Sequence, residues 1–272
     1  MTSMRRPSPL PRLALALALA SGVAACATRP DPTDAEAVAE FNETNDPLEP
    51  LNRAAFFIND GIDTLILRPA AEAYRIFIAP EIRTGVRNVL GNARTPVILL
   101  NDLLQGETYR AGETVGRFVL NTTLGVLGIF DVATDLGLRG HGEDFGQTMA
   151  RWGAGEGPYL FIPVLGPSNP RDLTGAGVDA ATNPFTWITG NAYFDAATNS
   201  RIVLQALDTR EGLIEPLDAL RAGSLDPYAS LRSAYRQRRA AEISNRPGVD
   251  APQDRGTGFG VGAGPNAPGE RR

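Results

Sequence analysis

The 272-residue chain has no lysine, one histidine, one cysteine and two tryptophans, and each scarcity closes off a class of function. A single cysteine cannot form a disulfide within the chain. A lone imidazole, His141, cannot build a His-rich zinc site, and nucleophilic catalysis needs an activated Ser, Cys or Thr beside a base. No G-x-S-x-G elbow, P-loop or dinucleotide fingerprint occurs, and Ser168 lies among turn formers in Gly166-Pro167-Ser168-Asn169-Pro170. No enzyme is expected. All 26 basic residues are arginine against 31 acidic ones, a balance that argues against nucleic acid as a partner. Past the first 25 residues no run of 18 consecutive apolar residues occurs, so no conventional transmembrane helix is expected. Alternating apolar runs joined by hairpin turns are also missing, which predicts a predominantly α fold.

What is present begins with an export signal. Arg5, Arg6 and Arg12 form a positive n-region and Leu13 to Ala20 an apolar h-region, so residues 1–25 read as a signal peptide outside the fold. Val23-Ala24-Ala25-Cys26 fits a lipobox, in which the cysteine receives a diacylglycerol thioether and, after cleavage, an acyl chain. That use explains the unpaired Cys26, and it is the only covalent group expected; no other cofactor is. Each buried CH₂ contributes roughly 0.8 kcal/mol, so two or more chains anchor stably. Ala27, where an Asp would favour inner-membrane retention, points to the outer membrane. Removing the signal leaves 23 basic against 31 acidic residues, a net charge of −8.

Residues 26–45 read as a polar tether, 46–243 as the folded domain and 244–272 as a Gly/Pro-rich disordered tail. The run Asn45-Asp46-Pro47-Leu48-Glu49-Pro50 sets a helix start, since Pro50 suits the first turn. From there Leu51, Ala54, Ala55, Ile58, Ile62, Leu65 and Ile66 form one apolar stripe. Phe56 and Phe57 fall outside that stripe, which suits a helix lying in a bilayer interface or packed on two sides; both are candidate membrane contacts. Short helices are expected between Pro69 and Pro80, from Pro80 to Gly91, and from Pro96 to a cap at Gly106.

The stretch Arg117 to Asp131 stands apart. Between its bounding charges lie thirteen residues, Phe118 to Phe130, none ionisable. As a helix they would reach about 20 Å against about 30 Å of bilayer hydrocarbon, so they cannot span. Gly125 and Gly128 weaken a continuous helix and favour a bent or re-entrant apolar hairpin; a buried helix of a soluble core is the alternative.

Farther on, Trp152 to Pro163 mixes glycine, proline and aromatics and is expected to wrap irregularly rather than join a sheet. Trp152, Tyr159, Trp187 and Tyr193 have the apolar body and polar tip of interface aromatics, and suit a core equally. Helices follow over Asp172–Ala181, Ile202–Leu207 and Leu213–Leu220, and a last one is opened by Asp226-Pro227. Arg232, Arg236, Arg238 and Arg239 crowd its end as a solvated face or, alternatively, a headgroup site.

Several separated motifs, in order, resemble the MlaA (VacJ) family of outer-membrane lipoproteins. They are Asn45-Asp46-Pro47-Leu48-Glu49-Pro50-Leu51-Asn52-Arg53, Leu67-Arg68-Pro69, Arg117 to Gly125, Ile129-Phe130-Asp131-Val132-Ala133, Asp144-Phe145-Gly146-Gln147-Thr148 and Gly157-Pro158-Tyr159-Leu160. The resemblance implies a single ring-shaped bundle of short amphipathic helices with Gly/Pro-rich connections, embedded in the periplasmic leaflet around a phospholipid channel, for which Asn121, Leu124, Leu127, Ile129 and Phe130 are the candidate channel or gate residues. It implies removal of misplaced outer-leaflet phospholipids, hand-over to a soluble periplasmic carrier, and association with trimeric porins. The alternative is a structural lipoprotein that tethers porins or the envelope without transport.

Overall fold

In the computed structural model the described residues are 33–34, 38, 44, 46–187 and 192–245. The signal, Cys26, most of the tether and the tail beyond Asn245 lie outside them. The first long helix, α1 (Glu49–Ile62), starts where its prolines dictate, with Pro50 in the first turn and Glu49 complementing the helix dipole. At its end the chain does not break. A π-turn, Asp63–Leu67, carries it directly into α2 (Arg68–Phe77). The wider turn accommodates Pro69, which lacks an N–H to give, and rotates Asp63 into the interior.

Helix α3 (Pro80–Leu104) corrects the sequence reading, for it runs unbroken through Gly91 and Pro96. A proline inside a helix costs about 3 kcal/mol and a glycine about 1 kcal/mol. Tertiary packing outweighs that cost here: Thr95 just before the proline and Val97, Ile98, Asn101 and Asp102 after it are buried, and Asn92 Nδ2 donates to Thr122 Oγ1 at 2.9 Å. Gly106, at φ +77°, stops the helix as expected. There follow α4 (Thr108–Thr123), α5 (Val132–Asp135), α6 (Phe145–Arg151), α7 (Pro170–Thr182), a 3₁₀ turn (Pro184–Thr186), α8 (Ala192–Gly212), α9 (Ile214–Gly223) and α10 (Pro227–Ile243). Side-chain oxygens of Asp131, Asp144, Asn169 and Asp226 cap α5, α6, α7 and α10. The fold is predominantly helical.

A second correction concerns 160–168, where a small antiparallel hairpin joins β1 (Leu160–Ile162) to β2 (Gly166–Ser168). Pro167, opposite Phe161, is tolerated because a two-stranded ribbon has only edges and a proline nitrogen can face away from the partner. Asn52 of α1 locks the ribbon in place, its Oδ1 accepting from Phe161 N and its Nδ2 donating to the Tyr159 carbonyl.

The apolar core is small and aromatic. Tyr159, Phe161, Tyr228 and Leu231 form it, with Phe56, Leu217, Leu220 and Tyr235 packed around them. Phe56 meets Phe161 and Tyr228 edge to face at 5.4 and 5.7 Å. The side chain expected at the membrane is thus an inner one, while its neighbour Phe57 is 79% exposed. Elsewhere charge does the joining. Asp63 holds Arg210 and Arg221, and Glu211 and Asp208 on α8 bind Arg75, Arg83 and Arg87 on α2 and α3. Among the described residues no helix is long and apolar enough to cross a membrane.

Candidate functional site: a clasped apolar loop

Helix α4 ends at Thr123, and the chain turns back on itself through residues 124–130 before α5. Arg117 and Asn121, four apart and therefore on one face of α4, point inward at the neck of this loop. The Arg117 guanidinium, 3% exposed, grips both oxygens of Asp131 at 2.9 Å and also donates to Thr134 Oγ1 and the Leu138 carbonyl. Asn121 spans the same neck, with Nδ2 donating to Asp131 Oδ1 and Oδ1 accepting from Ala133 N, both at 2.9 Å. Burial pushes the Asp131 carboxyl up, but donors from Thr134, Asn121 and Arg117 outweigh it and hold the group below its usual range. The neck is a polar clasp.

Within the loop, backbone bonds run from Leu127 N to Thr122 O, Gly128 N to Asn121 O and Phe130 N to Gly125 O. The closure is tight. A Cβ at Gly125 would overlap the Phe130 and Asn121 carbonyls, and Gly128, at φ +92°, packs on Asn92. Val126 and Leu127 adopt φ of 53° and 56°, a region that costs a branched or bulky residue energy and persists where surroundings over-determine it. Asn88 Nδ2, donating to the Ile129 carbonyl at 2.9 Å, adds to that determination from α3.

What the clasp presents is apolar. Leu124, Val126, Leu127, Ile129 and Phe130 are all exposed, Leu127 to 72%. Four of the five candidate gate residues therefore share one outward surface; the fifth, Asn121, is buried in the clasp beneath them. Cys26 lies outside the described residues. Sequence reading missed Arg117 and Asp131 as a pair, although two polar side chains four apart in an apolar run were the signal for an inward face.

A model of the MlaA lipoprotein family matches residues 44–242, spanning the clasp, the hairpin and α10. The chain belongs to the MlaA lipoprotein family. It is 35% identical over 198 residues to the Intermembrane phospholipid transport system lipoprotein MlaA of Shigella flexneri, covering 71% of this chain and 76% of that one. The same-named protein of Escherichia coli is 34% identical over 198 residues, with the same coverage. A protein of Rickettsia bellii is 35% identical over 202 residues, covering 74% and 78%. A solved structure described as "Structural basis for maintenance of bacterial outer membrane lipid asymmetry" superposes with a TM-score of 0.64 at 34% identity, covering 73% of this chain and 98% of that one.

The interior of this MlaA-family chain is polar to an unusual degree. Among the described residues 12 buried side chains are hydrophobic and 21 polar or charged, while 29 large hydrophobics are exposed. His141 Nε2 sits 3.0 Å from Asp102 and 3.2 Å from Thr114 Oγ1. This is no nucleophile relay: a triad needs the base between the two partners on different nitrogens, and here Thr114 itself donates to Asp102 at 2.7 Å. The arginines of α10 are likewise structural. Arg232 pairs with Asp46, Arg236 with Glu156, Arg238 with Glu242, and Arg239 with Asp144 and Asp172. Burial would raise Asp144, yet Arg239 holds it well below the usual carboxylate range. A cavity of about 550 Å³ along α10 is lined by Arg232, Arg236 and Arg239, so its cations are already spent.

Proposed function

We propose that this chain is an outer-membrane lipoprotein that removes misplaced phospholipids from the outer leaflet and passes them through a central channel to a soluble periplasmic carrier. It acts without catalysis, is anchored by diacylglycerol and an acyl chain on Cys26 in the periplasmic leaflet, and works beside trimeric porins. The observation that carries the reading is the inverted distribution of polarity: a charge-laced interior inside an apolar exterior. A phospholipid moving between leaflets needs a hydrated path for its headgroup while its tails stay in hydrocarbon. An ordinary soluble domain has the opposite arrangement. Further support comes from the family, whose named relatives are phospholipid transport lipoproteins, and from the superposed structure's concern with lipid asymmetry.

In this scheme Leu124, Leu127, Ile129 and Phe130 face lipid or the channel gate, and Phe57 contacts the membrane. The clasp keeps the loop in register with the channel mouth. Deleting the gene tests the proposal: outer-leaflet phospholipid, labelled from outside intact cells, should rise and fall again on complementation. Unchanged phospholipid with altered porin assembly or envelope mechanics would replace transport by tethering.

A further inference from the structure

Of eighteen described arginines, fifteen form an ion pair with a carboxylate. Arg139, one of the other three, is simply exposed. Arg94 on α3 and Arg201 on α8 are half-buried, and each lies seven residues, two helical turns, from the Arg87–Asp208 pair on helices that the Arg83–Glu211 and Arg87–Asp208 pairs set antiparallel, so they fall on facing turns. The Nε of Arg201 is buried with no acceptor among the described residues. Arg94 has a carboxylate in range, Asp179, but its oxygens accept from Phe145 N and Asn101 Nδ2. Where nearly every other described arginine is in ion-pair contact with a carboxylate, two half-buried cations that share only Asp179, itself hydrogen-bonded elsewhere, are costly unless something anionic joins them.

Their surroundings specify what. The Arg201 guanidinium lies 5.9 Å from the Phe185 ring centre, and the sequence neighbours of this pair, Ile202, Val203 and Trp187, are exposed, Trp187 to 71%. Paired cations rimmed by exposed apolar and aromatic side chains fit a phosphate that carries hydrocarbon, since guanidinium forks bind phosphate oxygens and tails lie on the rim. We infer that Arg94 and Arg201 form a phosphate-binding subsite for a phospholipid headgroup, where α3, α8 and the 3₁₀ turn meet. The inference rests on the reading of this chain as a phospholipid-transport lipoprotein and adds a station to its path.

Titration of the full-length protein in detergent micelles tests it, with Trp152→Phe leaving Trp187 as the reporting fluorophore. The probes are phosphatidylglycerol, diacylglycerol with the same acyl chains, and inorganic phosphate. Wild-type protein should bind phosphatidylglycerol more tightly than diacylglycerol by about tenfold, and Arg94→Gln with Arg201→Gln should abolish that preference. Diacylglycerol binding should stay unchanged and the melting temperature should not fall, because no ion pair is broken. Equal phosphatidylglycerol binding by wild type and double variant overturns the subsite, as does a variant that loses both lipids together. Saturation by inorganic phosphate with the same Trp187 response makes it a free-phosphate site and overturns the lipid assignment. The two readings fail separately: wild-type protein that binds neither lipid sinks the transport proposal itself, whereas an unaffected double variant sinks only the subsite.

Discussion

Arg117 makes four hydrogen bonds to three groups from a position that admits almost no water, so its removal is the most consequential single truncation in the loop region. Arg117→Ala leaves Asp131 without its cation and should cost about 3–5 kcal/mol, read as a lower melting temperature in detergent. Arg117→Lys should recover only part of it, since an ammonium cannot reproduce the two-pronged grip. Gly125→Ala should be comparably harmful for a different reason: its methyl occupies the space of two carbonyls. Glu143 offers a test with a sign. Buried beside Arg110, Gln105, Asp102 and His141, its carboxyl is pushed by burial up to about 7 against the pull of Gln105 and Arg110. A group raised in the folded state gives full stability below its unfolded pKa and loses it as pH rises through the folded one. The melting temperature of wild type relative to Glu143→Gln should therefore fall between about pH 5 and pH 8; a constant difference would refute the shift. Residue roles were the least legible part of the sequence. Asn121 and Phe56 share the composition of channel or membrane residues, and only three-dimensional partners reveal them as a clasp and a core ring.

At the level of elements, helix ends were readable because they are local: Pro50, Gly106 and Asp226-Pro227 act through their own backbone and nearest neighbours. Internal breaks were not. Pro96 should end a helix by local cost, and whether it does depends on packing from α4, twelve or more residues away. The π-turn at 63–67 and the hairpin at 160–168 depend on Arg210 and Asn52, which are still more distant in sequence. The apolar loop was legible in outline, as a charge-free run with glycines where it must turn, but its outward aspect was not. That aspect predicts the outcome of Leu127→Asp. A core substitution of this kind unfolds a domain, whereas Leu127 already faces outward, so the variant should remain folded and reach the outer membrane. Its lipid clearance should change, because a charge in hydrocarbon costs about 2.5–3.5 kcal/mol. Abundance, melting in detergent and outer-leaflet phospholipid measured together decide it; loss of all folded protein would retire the gate.

The whole molecule poses a solvent question. Scattered exposed leucines mean nothing in a soluble protein, but a contiguous apolar surface marks a contact with lipid or another protein. Here one loop carries five large exposed hydrophobics within seven residues, and Phe57 at 79% and Phe77 at 81% are exposed as well. Acyl chains on Cys26 would tether such a molecule without covering that surface. Two consequences follow from the distinction. Protein lacking the signal and carrying Cys26→Ser should still need detergent, and should aggregate when detergent is removed although its ion pairs and aromatic core remain intact. Replacing Phe57, Phe77 and Leu127 together by serine should then reduce aggregation while shifting folding stability by no more than about 0.5 kcal/mol per site, since none of the three is packed inside. Light scattering and melting on the two proteins separate solvent from core: if the unlipidated wild-type chain is a monodisperse monomer without detergent, the apolar exterior does not face a bilayer and the lipid-embedded reading falls.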